Sequence, residues 1–156
     1  DPLRVGDFHH ALDLLSAMRL CANVPGQFAV PAALQGPETI RALTLPGGRL
    51  YESRQAVIDG CAASEHLSVV APMGALYAFP QVVGPAAEDF DDQAFALELL
   101  ETEDVLVVPG SGFNVPGSRH FRVTLLPEAA DIREVFARIE RVLDRHAERV
   151  RARHVA

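Results

Sequence analysis

After residue 66 the chain reads as two short strand-like runs, a helical run, two more strand-like runs and a closing helix. That order limits the folds open to it more than composition does. Leu67 to Ala71 and Ala75 to Val83 have the length and residue types of strands, and Pro72-Met73-Gly74 between them is a hairpin-like signal. Asp91 to Glu103 returns to a helical pattern. Asp104 to Val108 reads as a short buried strand ended by Pro109-Gly110, and His120 to Leu126 as the last strand. The closing helix sets Ile132, Val135, Phe136, Ile139, Val142 and Leu143 on one stripe, with arginines and acids opposite that read as a solvated face. Asp131 and Glu134 have capping-box spacing, and Glu128 is an equally good start. Strands in adjacent pairs with helices between the pairs favour a small antiparallel or mixed sheet covered by helices, an α+β fold.

The first third is helical. Phe8, Ala11, Leu12, Leu15 and Met18 recur at helical spacing between Asp7 and Arg19, and a second apolar segment, Phe28 to Leu34, follows Pro25 and stops near Gly36. Pro46-Gly47-Gly48 breaks the pattern, and a domain boundary is expected there, dividing 1–45 from 46–156. Arg49 to Ala63 is expected to be a helix with Leu50, Ala56, Val57 and Cys61 toward a core. The chain opens Asp-Pro with no initiator Met and enters a helical pattern within a few residues, as an excised piece of a longer protein would.

With 49% hydrophobic and 22% charged residues the chain should fold throughout. A net charge of −7 argues against a nucleic-acid surface. No apolar run is long enough to span a bilayer and nothing resembles a signal peptide, so a cytoplasmic, non-membrane protein is the expectation. Cys21 and Cys61 lack metal-motif spacing and read as two reduced core thiols.

All fourteen basic residues are arginine. No side-chain amine is therefore present to form a Schiff base or act as a lysine base. Ser111 has glycine on both sides, but Pro109 and Phe113 stand where a nucleophile elbow requires glycine. His9 and His10 point to different helix faces, and His66, His120, His146 and His154 show no ligand spacing, so no metal site is expected. Glu88, Asp89, Asp91 and Asp92 lack calcium-loop spacing and read as a solvated loop and helix start.

Arg122 is the residue that asks for an explanation. It stands between Phe121 and Val123 in an otherwise buriable strand, and an unpaired buried guanidinium carries a desolvation penalty of several kcal/mol. Ahead of it, glycines at 110, 112 and 117 and prolines at 109 and 116 make a loop whose backbone can approach a ligand closely. Taken alone, these residues leave two readings open: a guanidinium that receives a ligand carboxylate, or a structural salt bridge to a nearby acid.

The string VLVVPGSGFNVPGSRHFRVTLLP, residues 105 to 127, resembles the C-terminal part of the class I, fold-type I aminotransferases that depend on pyridoxal phosphate. MRLCANVP at 18–25, PGGRLYESR at 46–54 and APMGALYAFP at 71–80 resemble the alanine aminotransferase branch. The resemblance implies that Arg122 binds the substrate α-carboxylate and that Gly112, Phe113 and Asn114 shape the loop beside the active site. It places Asn23 near the dimer interface and cofactor, where a helix-capping role is equally open. Tyr77 is expected in core packing, and Tyr51 and Arg54 in structural roles. It further implies a small domain preceded by helices left from a large domain, with the pyridoxal phosphate, its lysine and its phosphate-binding groups held by the absent part. The fragment alone would be inert. The parent would be a homodimer moving an amino group from L-alanine to 2-oxoglutarate, with exposed apolar surface on the first helix. Two other readings are an effector-sensing domain of a transcription regulator and a non-catalytic α+β interaction module.

Overall fold

The computed structural model describes residues 5–19, 21–115 and 117–155. The chain divides into two compact units, 1–39 and 40–156.

In the first unit, α1 (Val5–Ala17) and α2 (Val24–Gln35) form as their apolar spacing predicts. Asn23 starts α2: its side-chain oxygen accepts from the Gly26 amide at 3.1 Å, and Pro25 occupies the first turn, where a missing N–H costs nothing. Phe8, Leu12, Leu15 and Met18 are all exposed, and α2 buries no residue. Cys21 is exposed too, so only Cys61 is the core thiol expected of both.

The second unit takes in all of α3 (Thr39–Thr44) but its first residue and continues with α4 (Arg49–Ala63), β1 (Leu67–Ser68), β2 (Tyr77–Ala78), β3 (Gln81–Val82), a 3₁₀ turn at Gly84–Ala87, α5 (Asp92–Glu103), β4 (Val108–Pro109), a second 3₁₀ turn at Gly110–Phe113, β5 (Phe121–Thr124) and α6 (Ala129–Val155). This is the expected α+β architecture, but its sheets pair differently from the local signals. β1 pairs antiparallel with β3, while β2, β5 and β4 form a three-stranded antiparallel sheet with β5 central. The hairpin expected around Pro72-Met73-Gly74 forms only in a wider version, because the run from Ala75 to Val83 breaks at Phe79-Pro80: its far half, β3, pairs back on β1, while its near half, β2, joins β5. Pro80 has no N–H for a ladder, and its carbonyl accepts from the Phe121 amide at 3.1 Å, turning the break into a contact with β5. The strand expected from Asp104 begins only at Val108, since Asp104 sits in the left-handed region (φ 55°) as the cap of α5.

α6 begins at Ala129, with the Ile132 amide bonded to the Glu128 carbonyl at 3.0 Å. Glu128 is therefore the start and Asp131 lies within the first turn. Its stripe of Ile132, Phe136, Ile139, Val142, Leu143, Ala147 and Val150 is buried, together with Val57, Leu99 and Phe121. Each fully buried side chain of this size contributes roughly 1.5–3 kcal/mol. Helix α4 packs against α6 so closely that a Cβ on Gly60 would stand 2.8 Å from the Phe136 ring.

The polar face of α6 is more than a solvated surface. Arg141 donates to Glu103 at 2.7 and 3.1 Å, Arg145 reaches the same carboxylate at 3.2 Å, and Arg149 meets Glu98 at 2.8 Å. Arg138 donates to the Glu103 carbonyl at 2.9 Å. These bonds fasten α6 to the end of α5.

Candidate active site

Strand β5 alternates its faces. Phe121 and Val123 enter the core, and Arg122, half-buried, projects from the other face. Its neighbours in the sheet bring one aromatic ring from each side. Tyr77 comes from β2, its ring centroid 4.5 Å from the guanidinium carbon, and Phe113 comes from the turn after β4, at 5.2 Å. Arg122 has no ion-pair partner among the described residues, and its Nε is buried without a hydrogen-bond acceptor. The guanidinium lines a cavity of about 320 Å³ with Tyr77, Ala78, Phe79 and Phe113. The salt-bridge reading of Arg122 therefore finds no acid to support it.

The loop carrying Phe113 is pinned at three points. The Gly110 amide donates to the His120 carbonyl at 2.8 Å, the Ser111 amide to Asp92 Oδ2 at 2.6 Å, and the Asn114 amide to the Ser111 carbonyl at 3.1 Å. Gly110 permits this because a Cβ there would stand 2.0 Å from Ser118 Oγ and 2.7 Å from the His120 carbonyl oxygen. Asn114 turns the chain through the left-handed region (φ 57°), which asparagine tolerates better than most residues. Beneath the loop Phe79 meets Phe113 edge-on, centroids 5.5 Å apart, and stacks on His120 at 4.9 Å with their planes 10° apart.

Of the residues singled out in the sequence, Arg122 and Phe113 meet at this cavity, and Asn114 sets the loop that presents Phe113. A Cβ on Gly112 would touch nothing within 4 Å, so its part is limited to the turn. Asn23 lies in the other unit, where it caps α2. Tyr77 departs from the core-packing expectation: it is 46% exposed and faces Arg122. Asp92 was hidden in an acidic cluster that reads as solvated, yet it is 93% buried and holds the loop. Arg54, the cation of a larger cavity of about 370 Å³, is already engaged, its Nε donating to the Pro72 carbonyl at 2.6 Å. Its role is structural.

The scattered histidines include one clustered in space. His66 Nε2 lies 3.1 Å from Asp144 Oδ1, with Glu140 close by and the three ligand atoms within 4.8 Å of one another. Glu140 already accepts from the Ser64 hydroxyl at 2.6 Å, and His66 Nδ1 is buried without a partner. A metal-bound histidine normally donates its second ring N–H to an acceptor, so this group is better described as a tether between the turn ahead of β1 and α6.

A guanidinium with unengaged N–H groups in a cavity of apolar walls suits one carboxylate. The profile of the class I and II aminotransferases matches residues 10–139. This chain belongs to that family. It is 42% identical over 132 residues to the glutamate-pyruvate aminotransferase AlaA of Escherichia coli K12, covering 85% of this chain and 33% of that protein. It is 41% identical to the alanine aminotransferase of Mycobacterium tuberculosis H37Rv, again over 85% of this chain and 31% of the relative. Among solved structures, an Escherichia coli aminotransferase superposes with a TM-score of 0.79 at 38% identity, over 92% of this chain and 36% of the other. An alanine aminotransferase from Pyrococcus furiosus gives 0.69 at 32% identity, with the same two coverages of 92% and 36%. The chain thus spans about a third of the length of the curated relatives it matches.

The family is generally dependent on pyridoxal phosphate, and the residues here do not by themselves fit that group. The chain has no lysine to hold it, and the cavity at Arg122 offers a single cation between aromatic walls. No helix among the described residues is long and apolar enough to cross a membrane.

Proposed function

We propose that this chain is the C-terminal portion of an alanine aminotransferase, transferring the amino group of L-alanine to 2-oxoglutarate and giving pyruvate and L-glutamate. Residues 1–45 belong on this reading to the large domain and 46–156 to the small one. The observation that carries the proposal is the guanidinium of Arg122, without an acid partner among the described residues, lining an otherwise apolar cavity. The relatives named glutamate-pyruvate and alanine aminotransferase supply the choice of substrates.

Arg122 receives the α-carboxylate of amino acid and 2-oxo acid in turn, and so fixes the orientation of the bond to be broken at Cα. Its permanent charge suits it to both substrates, since both present the same anion. Gly112, Phe113 and Asn114 shape the wall beside that carboxylate, and Asn23, besides capping α2, stands near the cofactor and the partner subunit. Pyridoxal phosphate, held by the remainder of the enzyme, supplies the electron sink. The exposed apolar residues of α1 suit burial in a homodimer.

The test is an alanine-to-pyruvate assay on the complete enzyme and its Arg122→Ala variant. A charge-assisted bidentate contact of roughly 1.5–3 kcal/mol predicts a loss in kcat/KM of about a hundredfold, and more if the substrate also tilts. Wild-type kcat/KM in the variant would overturn the reading. The 156-residue chain alone should show no turnover with added pyridoxal phosphate; measurable transamination by it would show that the lysine is dispensable.

A further inference from the structure

An arginine that must wait for a ligand has a problem that the other arginines here do not share. Ordinarily a partly buried guanidinium is held in place by a carboxylate, which occupies the same in-plane N–H edges that a substrate would need. At Arg122 that holding is done from the ring faces. The ring centroids of Tyr77 and Phe113 lie 4.5 and 5.2 Å from the guanidinium carbon, and a ring face meets the cation without taking its in-plane N–H groups. We infer that Tyr77 and Phe113 act as a pair of positioning residues, an aromatic clamp that orients the Arg122 guanidinium while leaving its terminal Nη N–H groups open to the substrate carboxylate. The inference rests on the carboxylate-binding role proposed for Arg122.

The surrounding architecture fits a clamp of set geometry. Tyr77 is fixed by β2, whose register sets it opposite Thr124 on the strand that carries Arg122. Phe113 is fixed by a perpendicular ring contact with Phe79, which is itself stacked on His120. His120 also anchors the base of the loop, because its carbonyl accepts the Gly110 amide. One residue thus supports Phe113 through both its backbone and, by way of Phe79, its ring. Within this chain Tyr77 and Phe113 are nearly half exposed, at 46% and 42%, so its own core does not hold them against the cation.

Steady-state kinetics of the complete enzyme separate a clamp from mere packing. Tyr77→Leu and Phe113→Leu keep apolar bulk and remove the ring face. Each should raise KM for L-alanine and for 2-oxoglutarate together by about 3- to 30-fold, with kcat changed far less, the range expected of a cation–π contact between exposed and desolvated limits. Tyr77→Phe and Phe113→Tyr keep a ring and should stay within twofold of wild type. In an Arg122→Ala background Tyr77→Leu should cause no further rise, since its effect passes through the guanidinium. If both leucine variants keep wild-type KM while Arg122→Ala loses carboxylate binding, the clamp is refuted and the role of Arg122 stands. If Tyr77→Phe is as impaired as Tyr77→Leu, the hydroxyl matters and not the face, which also refutes it. Should Arg122→Ala itself bind both substrates normally, the carboxylate reading fails and the clamp with it.

Discussion

On α6, Arg141 gives two N–H bonds to Glu103 and Arg149 reaches Glu98, whereas on β5 the guanidinium of Arg122 meets two aromatic faces and no acid among the described residues. The same side chain thus serves two purposes within one unit. The helix arginines spend their directional donors on internal carboxylates and so fasten α6 to α5. Arg122 is steadied without directional bonds, and its terminal Nη donors stay available. What distinguishes a binding arginine from a structural one here is which part of the guanidinium the protein uses.

The contrast can be broken most strongly by giving Arg122 the environment of Arg141. Phe113→Glu would place a carboxylate beside the guanidinium, and the expected result in the complete enzyme is a fall in kcat/KM of about a hundredfold, similar to removal of the charge. The fold should survive, since Phe113 is exposed. Full activity in this variant would mean that the donors of Arg122 are not needed free.

Gly110→Ala tests the support of the loop. Its Cβ would meet Ser118 Oγ and the His120 carbonyl, and forced overpacking of this kind costs about 1–3 kcal/mol. Thermal melts should show a lowered Tm and kinetics a raised KM, whereas Gly112→Ala, with open space around its Cβ, should leave Tm unchanged.

On the structural side of the comparison, Glu103→Gln should lower Tm less than Gly110→Ala and leave KM untouched. The hydrogen bond from Arg141, helped by Arg145, holds the Glu103 carboxyl below the usual carboxylate range. Its folded pKa is depressed, so its stabilising contribution is present above the ordinary carboxylate value and is lost as pH falls through the lowered one. The Gln variant should lack that part of the acid destabilisation, which a pH series of melting temperatures would show.

The smallest effect concerns Cys61, whose thiol is pushed up to about 12, first by burial and then by the charge of Glu140. A maleimide at neutral pH should leave Cys61 unmodified in the folded enzyme and modify it after denaturation, as peptide mapping would show. Rapid native labelling would mean that the α4–α6 contact opens.

Much of this contrast was legible in the sequence, and the limits have physical causes. The α4 limits Arg49–Ala63, the α+β class and Arg122 as the anomalous charge could be read directly, because periodicity and an isolated arginine are local signals. Strand pairing could not. Pro72-Met73-Gly74 suggests a neighbouring hairpin, and β1 does pair with β3, but β2 between them is claimed by β5, and no local pattern encodes which distant strand wins. Tyr77 looked like core for the same reason: its meeting with Arg122 depends on the β2–β5 register. Asp92 was indistinguishable from Asp91 beside it, although one caps α5 and the other holds the loop. The arginines of α6 looked solvated because their acids lie on α5, some forty residues earlier.

Equilibrium titration of glutarate, which is 2-oxoglutarate without its reacting oxygen, into the complete protein and its Arg122→Ala variant tests the central claim most directly. Saturable binding to the wild type, weakened about a hundredfold in the variant and unaltered by Arg149→Ala, is the predicted result. Equal affinity for wild type and Arg122→Ala would contradict it.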